Sequence, residues 1–351
     1  MKKISYENLY SFVETVLSKV ELDQYSIESV TLGLCETSLR GVDSHGVRLL
    51  PHYVNSAING RKNVSPNYRV THNLPTIAHL DADNAFGHAA GMKAIDYCIE
   101  MAEEYGMGAV SVSNSSHPGA MASMALKAAR KGYIAFAYTH ADSLIMSHNG
   151  ERPYFGTNPI CVAVPRIEKD PYCLDMATSI ESWNRVLINR NSDTLLPDNI
   201  AYNSEGEMTN NPHDAASLFP IGSYKGFGLA SMVEVLCGIY SGMAFGRSIP
   251  SMYKTPIDKT RNLGQFYMVM KTNGVLSEEA FLSHMQNFTN DLRSEPSVQG
   301  ESVMLPGDKE IKESINRMKN GVPIDDVTLE SFYQLSDKYN IPLVINTIEK
   351  T

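Results

Sequence analysis

The segment Gly108-Ala109-Val110-Ser111-Val112-Ser113-Asn114-Ser115-Ser116-His117-Pro118-Gly119-Ala120 constrains this chain most. Small and β-branched residues follow a glycine, with Val110 and Val112 on one face, which predicts a strand. Pro118 suits a first helical position, and Ala120, Met121, Met124, Ala125 and Ala128 recur at helical spacing, which predicts a helix directly behind it. Strand-to-helix junctions of α/β proteins are where ligands collect, because backbone N–H groups and the positive end of the helix dipole face the crevice. His117 stands at that junction. An imidazole there can exchange a proton near neutral pH, or can simply cap the helix.

Composition narrows the class. The chain has 351 residues, 43% hydrophobic and 20% charged, as in ordinary globular proteins with sizeable cores. A formal net charge of -9 argues against nucleic acid and anionic membrane surfaces as partners. No apolar run approaches a membrane span, and the first residues lack the apolar centre of a signal peptide. The five cysteines are scattered and sit among apolar residues, so they read as buried free thiols of a reducing compartment. A cytoplasmic location is expected.

Periodicity supplies the organisation. Residues 5–20 predict an amphipathic helix capped by Ser5, and a second helix from Ser26 to Leu39 ends at Gly41. The Gly-punctuated stretch from Arg40 to Tyr53 carries Asp43, Ser44, His45 and Arg48 close together, either a solvated turn or a chemical site. From about residue 67 short apolar runs predict strands, among them Ala78–Ala82, Tyr133–Tyr138, Pro159–Pro165, Tyr172–Met176 and Leu263–Lys271. Helices are expected at Ala94–Tyr105, after Gly222 with Leu229, Met232, Val233 and Leu236 inward, and around Phe281–Leu292. The expected architecture is an α/β domain, residues 67–274, inserted in a smaller helical domain built from residues 1–66 and 275–351.

No G-x-G-x-x-G, P-loop, G-x-S-x-G or H-E-x-x-H occurs, and the histidines at 45, 52, 117, 140 and 148 match no short zinc spacing, so no metal site is expected. Several small-residue polar segments remain. Asp175 ends a predicted strand, where a carboxylate can take sugar hydroxyls or cap a helix. Lys225 opens a helix among glycines, suited to a phosphate or merely solvated. Gly307 permits close backbone approach or makes a turn.

Seven collinear blocks resemble the type-2 malate/L-lactate dehydrogenase family: Arg40-Gly41-Val42-Asp43-Ser44-His45-Gly46, Asp83-Asn84-Ala85-Phe86-Gly87-His88, Ser116-His117-Pro118-Gly119, Gly156-Thr157-Asn158-Pro159, Asp175-Met176-Ala177-Thr178-Ser179, Lys225-Gly226-Phe227-Gly228-Leu229 and Leu305-Pro306-Gly307-Asp308. The resemblance spans nearly the whole chain. It implies a non-Rossmann nicotinamide-binding α/β fold, in keeping with the missing glycine fingerprint, and a homodimer or dimer of dimers with the site near the subunit interface. It implies proton transfer by His45 and His117, with Ser44, Arg48, Thr157 and Asn158 on the substrate. It assigns Ala141, Asp175, Met176, Ala177, Lys225, Pro306, Gly307 and Asp308 to the cofactor, NAD with NADP not excluded. The implied reaction moves a hydride between the nicotinamide and C2 of a 2-hydroxy or 2-keto acid.

One position departs from the pattern. Relatives place an arginine five residues after the serine; here Leu49 stands there and Arg48 precedes it. On a helix that shift turns the side chain by about 100°, which leaves the carboxylate clamp open. The stretch Phe245–Tyr253 and Arg261-Asn262-Leu263-Gly264-Gln265 is most similar to the ureidoglycolate dehydrogenase branch. Malate, lactate or a sugar-derived keto acid are the alternative substrates. A cofactor-binding protein without catalysis and a metal-dependent lyase or hydrolase are the readings from other classes.

Overall fold

The computed structural model describes residues 2–167 and 170–345. The amphipathic stripe Leu9, Phe12, Val13, Val16 and Leu17 forms the buried face of α1 (Tyr6–Lys19), whose Ser5 cap accepts the Asn8 N–H at 3.2 Å. α2 (Gln24–Leu39) starts two residues earlier than its periodicity suggests, because Asp23 caps it by accepting the Ser26 N–H. Gly41, at φ +84°, closes it. Two 3₁₀ turns, Asp43–His45 and Val47–Leu49, lead into α3 (Leu50–Ile58). These helices share one apolar core with Val322, Ile324, Leu329 and Phe332 from the other end of the chain. A two-stranded ribbon, Lys2–Ile4 against Val322–Ile324, ties the ends together.

The centre is a seven-stranded sheet in the order Arg69–Leu74, Ile77–Asp81, Met107–Ser115, Leu263–Lys271, Tyr133–Thr139, Ile160–Val164, Tyr172–Met176. Only the second and third of these run parallel; the other neighbours are antiparallel. A doubly wound parallel sheet is therefore absent, and with it the strand–glycine–helix turn that a dinucleotide fingerprint serves. The sheet buries Val110, Val112, Ala135, Ala137, Cys161 and Ala163 against α4 (Gly87–Tyr105) and α5 (Ala122–Ala129). All five cysteines are buried free thiols.

Two expected helix starts shift. α4 begins at Gly87, seven residues ahead of the expected Ala94, because its first turns are small residues packed on the sheet rather than a visible stripe. α5 begins at Ala122 rather than Pro118; Gly119 at φ +71° breaks any helical path from the proline. Beyond the sheet lie a small five-stranded sheet with α6 (Trp183–Asn191), then α7 (Tyr224–Glu234), continued by a π turn to Ile239. The stripe expected to face inward on α7 mostly does not: Val233 is buried, whereas Leu229 and Met232 are 42% and 58% exposed. α8 (Glu278–Ser294) buries only Thr289 and adds no residue to either large core. α9 (Asp308–Asn320) and α10 (Asp326–Tyr339) complete the chain.

Candidate active site

Two short segments are locked in place before any side chain reaches the cleft. Gly87 lets the chain at 116–118 pass over the start of α4, since a Cβ there would lie 2.2 Å from the Ser116 carbonyl oxygen. Ser116 Oγ accepts the Gly87 N–H and donates to the Ala85 carbonyl, both at 2.9 Å. The buried Gln265 amide donates to Ser115 Oγ and to the Ser116 carbonyl. On the other side, Arg317 grips Asp43 with two N–H groups and the Ser38 carbonyl with one of them, and Asn184 holds the Ser44 carbonyl at 2.8 Å. Asp43 is thus a tether for the turn that carries His45.

His45 and His117, separated by 72 positions in sequence, stack with ring centroids 5.7 Å apart and planes 21° off parallel. Both line a cleft of about 660 Å3. Ser44 Oγ lies 2.9 Å from His45 Nδ1, and the Tyr53 hydroxyl lies 2.9 Å from His117 Nδ1 and 3.3 Å from the His117 carbonyl. Tyr53 can therefore donate to Nδ1, or accept from a protonated Nδ1 while donating to the carbonyl. Either arrangement fixes the ring, but only with the ring proton on Nδ1 is Nε2 free to take a proton; with Tyr53 or the Gly119 N–H, 3.4 Å away, donating to Nδ1, the neutral ring carries its proton on Nε2. Burial, then the charge of Arg48, lowers His45 to about 4. Burial holds His117 well below the ordinary histidine value, with His45, Arg261, Lys62 and His88 adding to the effect. Both imidazoles are neutral at physiological pH.

Of the other residues expected on the substrate, Thr157 lines the cleft. Asn158 stands behind it, wholly buried: its amide nitrogen donates to the Ala230 carbonyl and to Glu234, and its oxygen accepts the Ala141 N–H. Arg48 is not part of the cleft wall, and its Nη1 is buried without a hydrogen-bond partner among the described residues. Leu49, where relatives carry arginine, is packed into the core of the terminal helices. The structure adds Tyr53, Lys62 and Asp142, to which sequence reasoning gave no role, and puts Arg261, from the stretch that resembles the ureidoglycolate dehydrogenase branch, in the cleft wall. Nothing in their spacing marks them, because they come together only through the fold.

Of the residues expected on the cofactor, Ala141 lines the imidazole cleft, and the others lie on or beside the Tyr172–Met176 strand and the turn after it. The Pro306 carbonyl accepts the Cys173 N–H at 3.2 Å, which seats the 306–308 turn beside that strand. Past Met176 and Ala177, Thr178 bonds to the Thr157 carbonyl, and Gly226 packs against the Thr178 carbonyl, with Lys225 exposed beside it. Asp175 accepts the first N–H of α5, from Ala122, at 2.7 Å. Surrounding protein raises its carboxyl although the side chain remains open to solvent. Asp308 bridges Arg166 and Arg293 and accepts the Leu305 N–H, so its carboxylate braces the turn and sits below the usual range. The arrangement suits a nucleotide: a solvent-open carboxylate for hydroxyls, an exposed ammonium at a helix start, and close-lying backbone. Among the described residues no group of three or more His, Cys, Asp or Glu is placed to hold a metal ion, and no helix is long and apolar enough to cross a membrane.

Fold and site together define a class: a mixed α/β protein without a dinucleotide fingerprint, whose cleft brings two imidazoles together. Comparison with known proteins takes this further. The profile of the malate/L-lactate dehydrogenase family matches residues 4–332. Over 327 residues the chain is 32% identical to the NAD(+)-dependent ureidoglycolate dehydrogenase of Escherichia coli, covering 93% of each. Over 350 residues it is 31% identical to the malate dehydrogenase of Pyrococcus abyssi, covering 97% of this chain and 95% of that one. The crystal structure of malate dehydrogenase from Entamoeba histolytica superposes with a TM-score of 0.92 at 28% identity, covering 97% of this chain and 99% of that one. The chain belongs to the malate/L-lactate dehydrogenase family and is an oxidoreductase acting on the CH–OH group of hydroxy acids.

Proposed function

We propose that the protein is a cytoplasmic, NAD-dependent dehydrogenase that interconverts a 2-hydroxy acid and its 2-keto acid, with ureidoglycolate the first substrate to test. The stacked His45–His117 pair in the cleft carries this reading. The substrate lean rests on likeness to ureidoglycolate dehydrogenase, and the cytoplasmic one on five unpaired buried thiols. Bound at Asp175–Ala177, Lys225 and 306–308, the nicotinamide supplies hydride transfer. The chain's own residues manage the proton. In the oxidising direction His117 Nε2 takes the proton of the C2 hydroxyl, and Tyr53 accepts from Nδ1–H and steadies the imidazolium that results. The proton then passes to solvent; in the reducing direction the imidazolium returns it to the oxygen. Thr157 lines the same wall, and Ser44 keeps the His45 ring beside its partner.

The exposed face of α7 supports a dimer. Leu229, Met232, Val235 and Ile239 are open in the single chain, and this apolar strip continues to Tyr240. A panel of 2-hydroxy acids, ureidoglycolate among them, assayed by NAD and NADP reduction, together with 2-keto acids assayed by NADH and NADPH oxidation, tests the reading. Turnover of ureidoglycolate or another hydroxy acid with NAD is the expected result. Absence of turnover on every acid, with no change in NADH fluorescence on adding protein, would sink it.

A further inference from the structure

Arg261 is 3% exposed yet belongs to the cleft wall that carries both imidazoles. Two of its three nitrogens are committed. Nε donates to the Pro250 carbonyl at 2.8 Å, and Nη2 pairs with Asp142 Oδ1 at 2.5 Å. Nη1 is buried and finds no acceptor among the described residues. A buried guanidinium N–H without a partner costs on the order of 1–3 kcal/mol or more, and folded proteins keep few of them unless a ligand or ion completes the site. The charge is close to the chemistry, since it disfavours protonation of His117 and of His52.

The other basic groups of the cleft are differently placed. Arg190 commits Nε and Nη2 to the Pro212 and Ala215 carbonyls and is only half-buried, and Arg247 and Lys254 are exposed. Asp142 neutralises only part of the positive charge around His52, to which the buried Arg61 also contributes. A planar guanidinium already oriented by two bonds presents its remaining N–H in a fixed direction, the arrangement that reads a carboxylate.

Resting on the dehydrogenase reading above, we propose that Arg261 anchors the substrate carboxylate in this cleft, with Asp142 as the residue that positions it. The anchor sets the acid group at one end of the cleft and leaves C2 and its oxygen facing the imidazole pair. Leu49 is packed in the core, and Arg48, whose Nη1 is also buried without an acceptor among the described residues, does not line the cleft.

The test is calorimetric titration of the NADH-loaded protein with oxamate, a carboxylate-bearing mimic of a 2-keto acid. Wild type is expected to bind oxamate, Arg261→Gln at least tenfold more weakly, and Asp142→Asn with an intermediate loss. NADH affinity should stay level across the three. Thermal unfolding shows whether Arg261→Gln stays folded. If it does not, Arg261→Lys takes its place, since a point charge keeps the fold but loses the planar contact. Equal oxamate affinity in wild type and variant overturns the proposal, as does a wild type that ignores oxamate, or a loss confined to Arg48→Met. Turnover is scored separately: NADH oxidation by wild type with undiminished oxamate binding in Arg261→Gln rejects the anchor while leaving the dehydrogenase reading intact.

Discussion

At the residue scale the chemistry depends on keeping one imidazole neutral and aimed. His117→Ala is expected to abolish turnover while Kd for NADH, read by fluorescence titration, stays within about twofold, because the cofactor residues lie elsewhere; loss of both together would contradict the assignment. Lys62 is a subtler case. Its amino group is shut in 3.7 Å from the centre of the Tyr53 ring and 4.4 Å from that of Phe86, with no hydrogen-bond partner among the described residues, and burial holds it well below the ordinary lysine value. Its charge is one of those that disfavour imidazolium at His117. Lys62→Met should therefore let His117 hold its proton to higher pH. The acid limb of kcat/KM in the oxidising direction should move upward, and an unmoved profile would show that Lys62 acts only through packing. Of the residues at this scale, His45 and His117 were legible because histidine is chemically conspicuous beside small polar residues. Tyr53 was not, since tyrosine is common and only burial beside the cleft gives it a purpose; Arg261 stood out only as part of a stretch resembling one branch of the family, and its place in the cleft wall comes from the fold.

Elements position these residues, and their joints are where small changes should matter. Adding a methyl at Gly87 drives it into the Ser116 carbonyl and the His117 backbone. Gly87→Ala should cost about 1–3 kcal/mol by chemical denaturation and lower turnover by about a hundredfold if His117 shifts by an ångström. A variant with wild-type kinetics would mean that the 116–118 segment can yield freely. Asp175 links two functions that sequence reasoning set against each other, hydroxyl recognition and helix capping. The cap is real, but it serves α5, which precedes Asp175 by more than fifty positions, rather than the segment that follows it. Asp175→Ala should lower stability by about 0.5–2 kcal/mol, measurable as a fall in Tm. The strands were legible from their β-branched and alternating runs, as at Leu263–Lys271. The starts of α4 and α5 were not, because small residues at Gly87 and a left-handed glycine at 119 leave no periodic trace.

On the scale of the whole molecule, charge and surface decide behaviour. Burial lowers His45 to about 4 and His52 and His88 to about 3. In the unfolded chain each of these binds a proton near pH 6.5, so the unfolded state holds more protons below that value. Stability is then expected to be full above about pH 6.5 and to fall as pH drops toward 3, with Tm as the readout; a flat Tm across that window would be incompatible with these neutral histidines. The open strip on α7 predicts an oligomer. Met232→Glu combined with Leu229→Glu should give a monomer by sedimentation, whereas an unchanged mass would place the interface elsewhere.

The sequence alone determined the mixed α/β character, the families of strands and helices, the family blocks and the two histidines, because hydrophobic period and chemically distinctive residues are local properties. The tertiary structure alone decided that the sheet is mostly antiparallel, that Leu49 is buried in the core while Arg261 faces the cleft, and that α7 turns apolar residues outward. Those outcomes depend on which distant segments meet. A side chain's partner, its access to water and its charge state are properties of that meeting, and no window of the chain contains them.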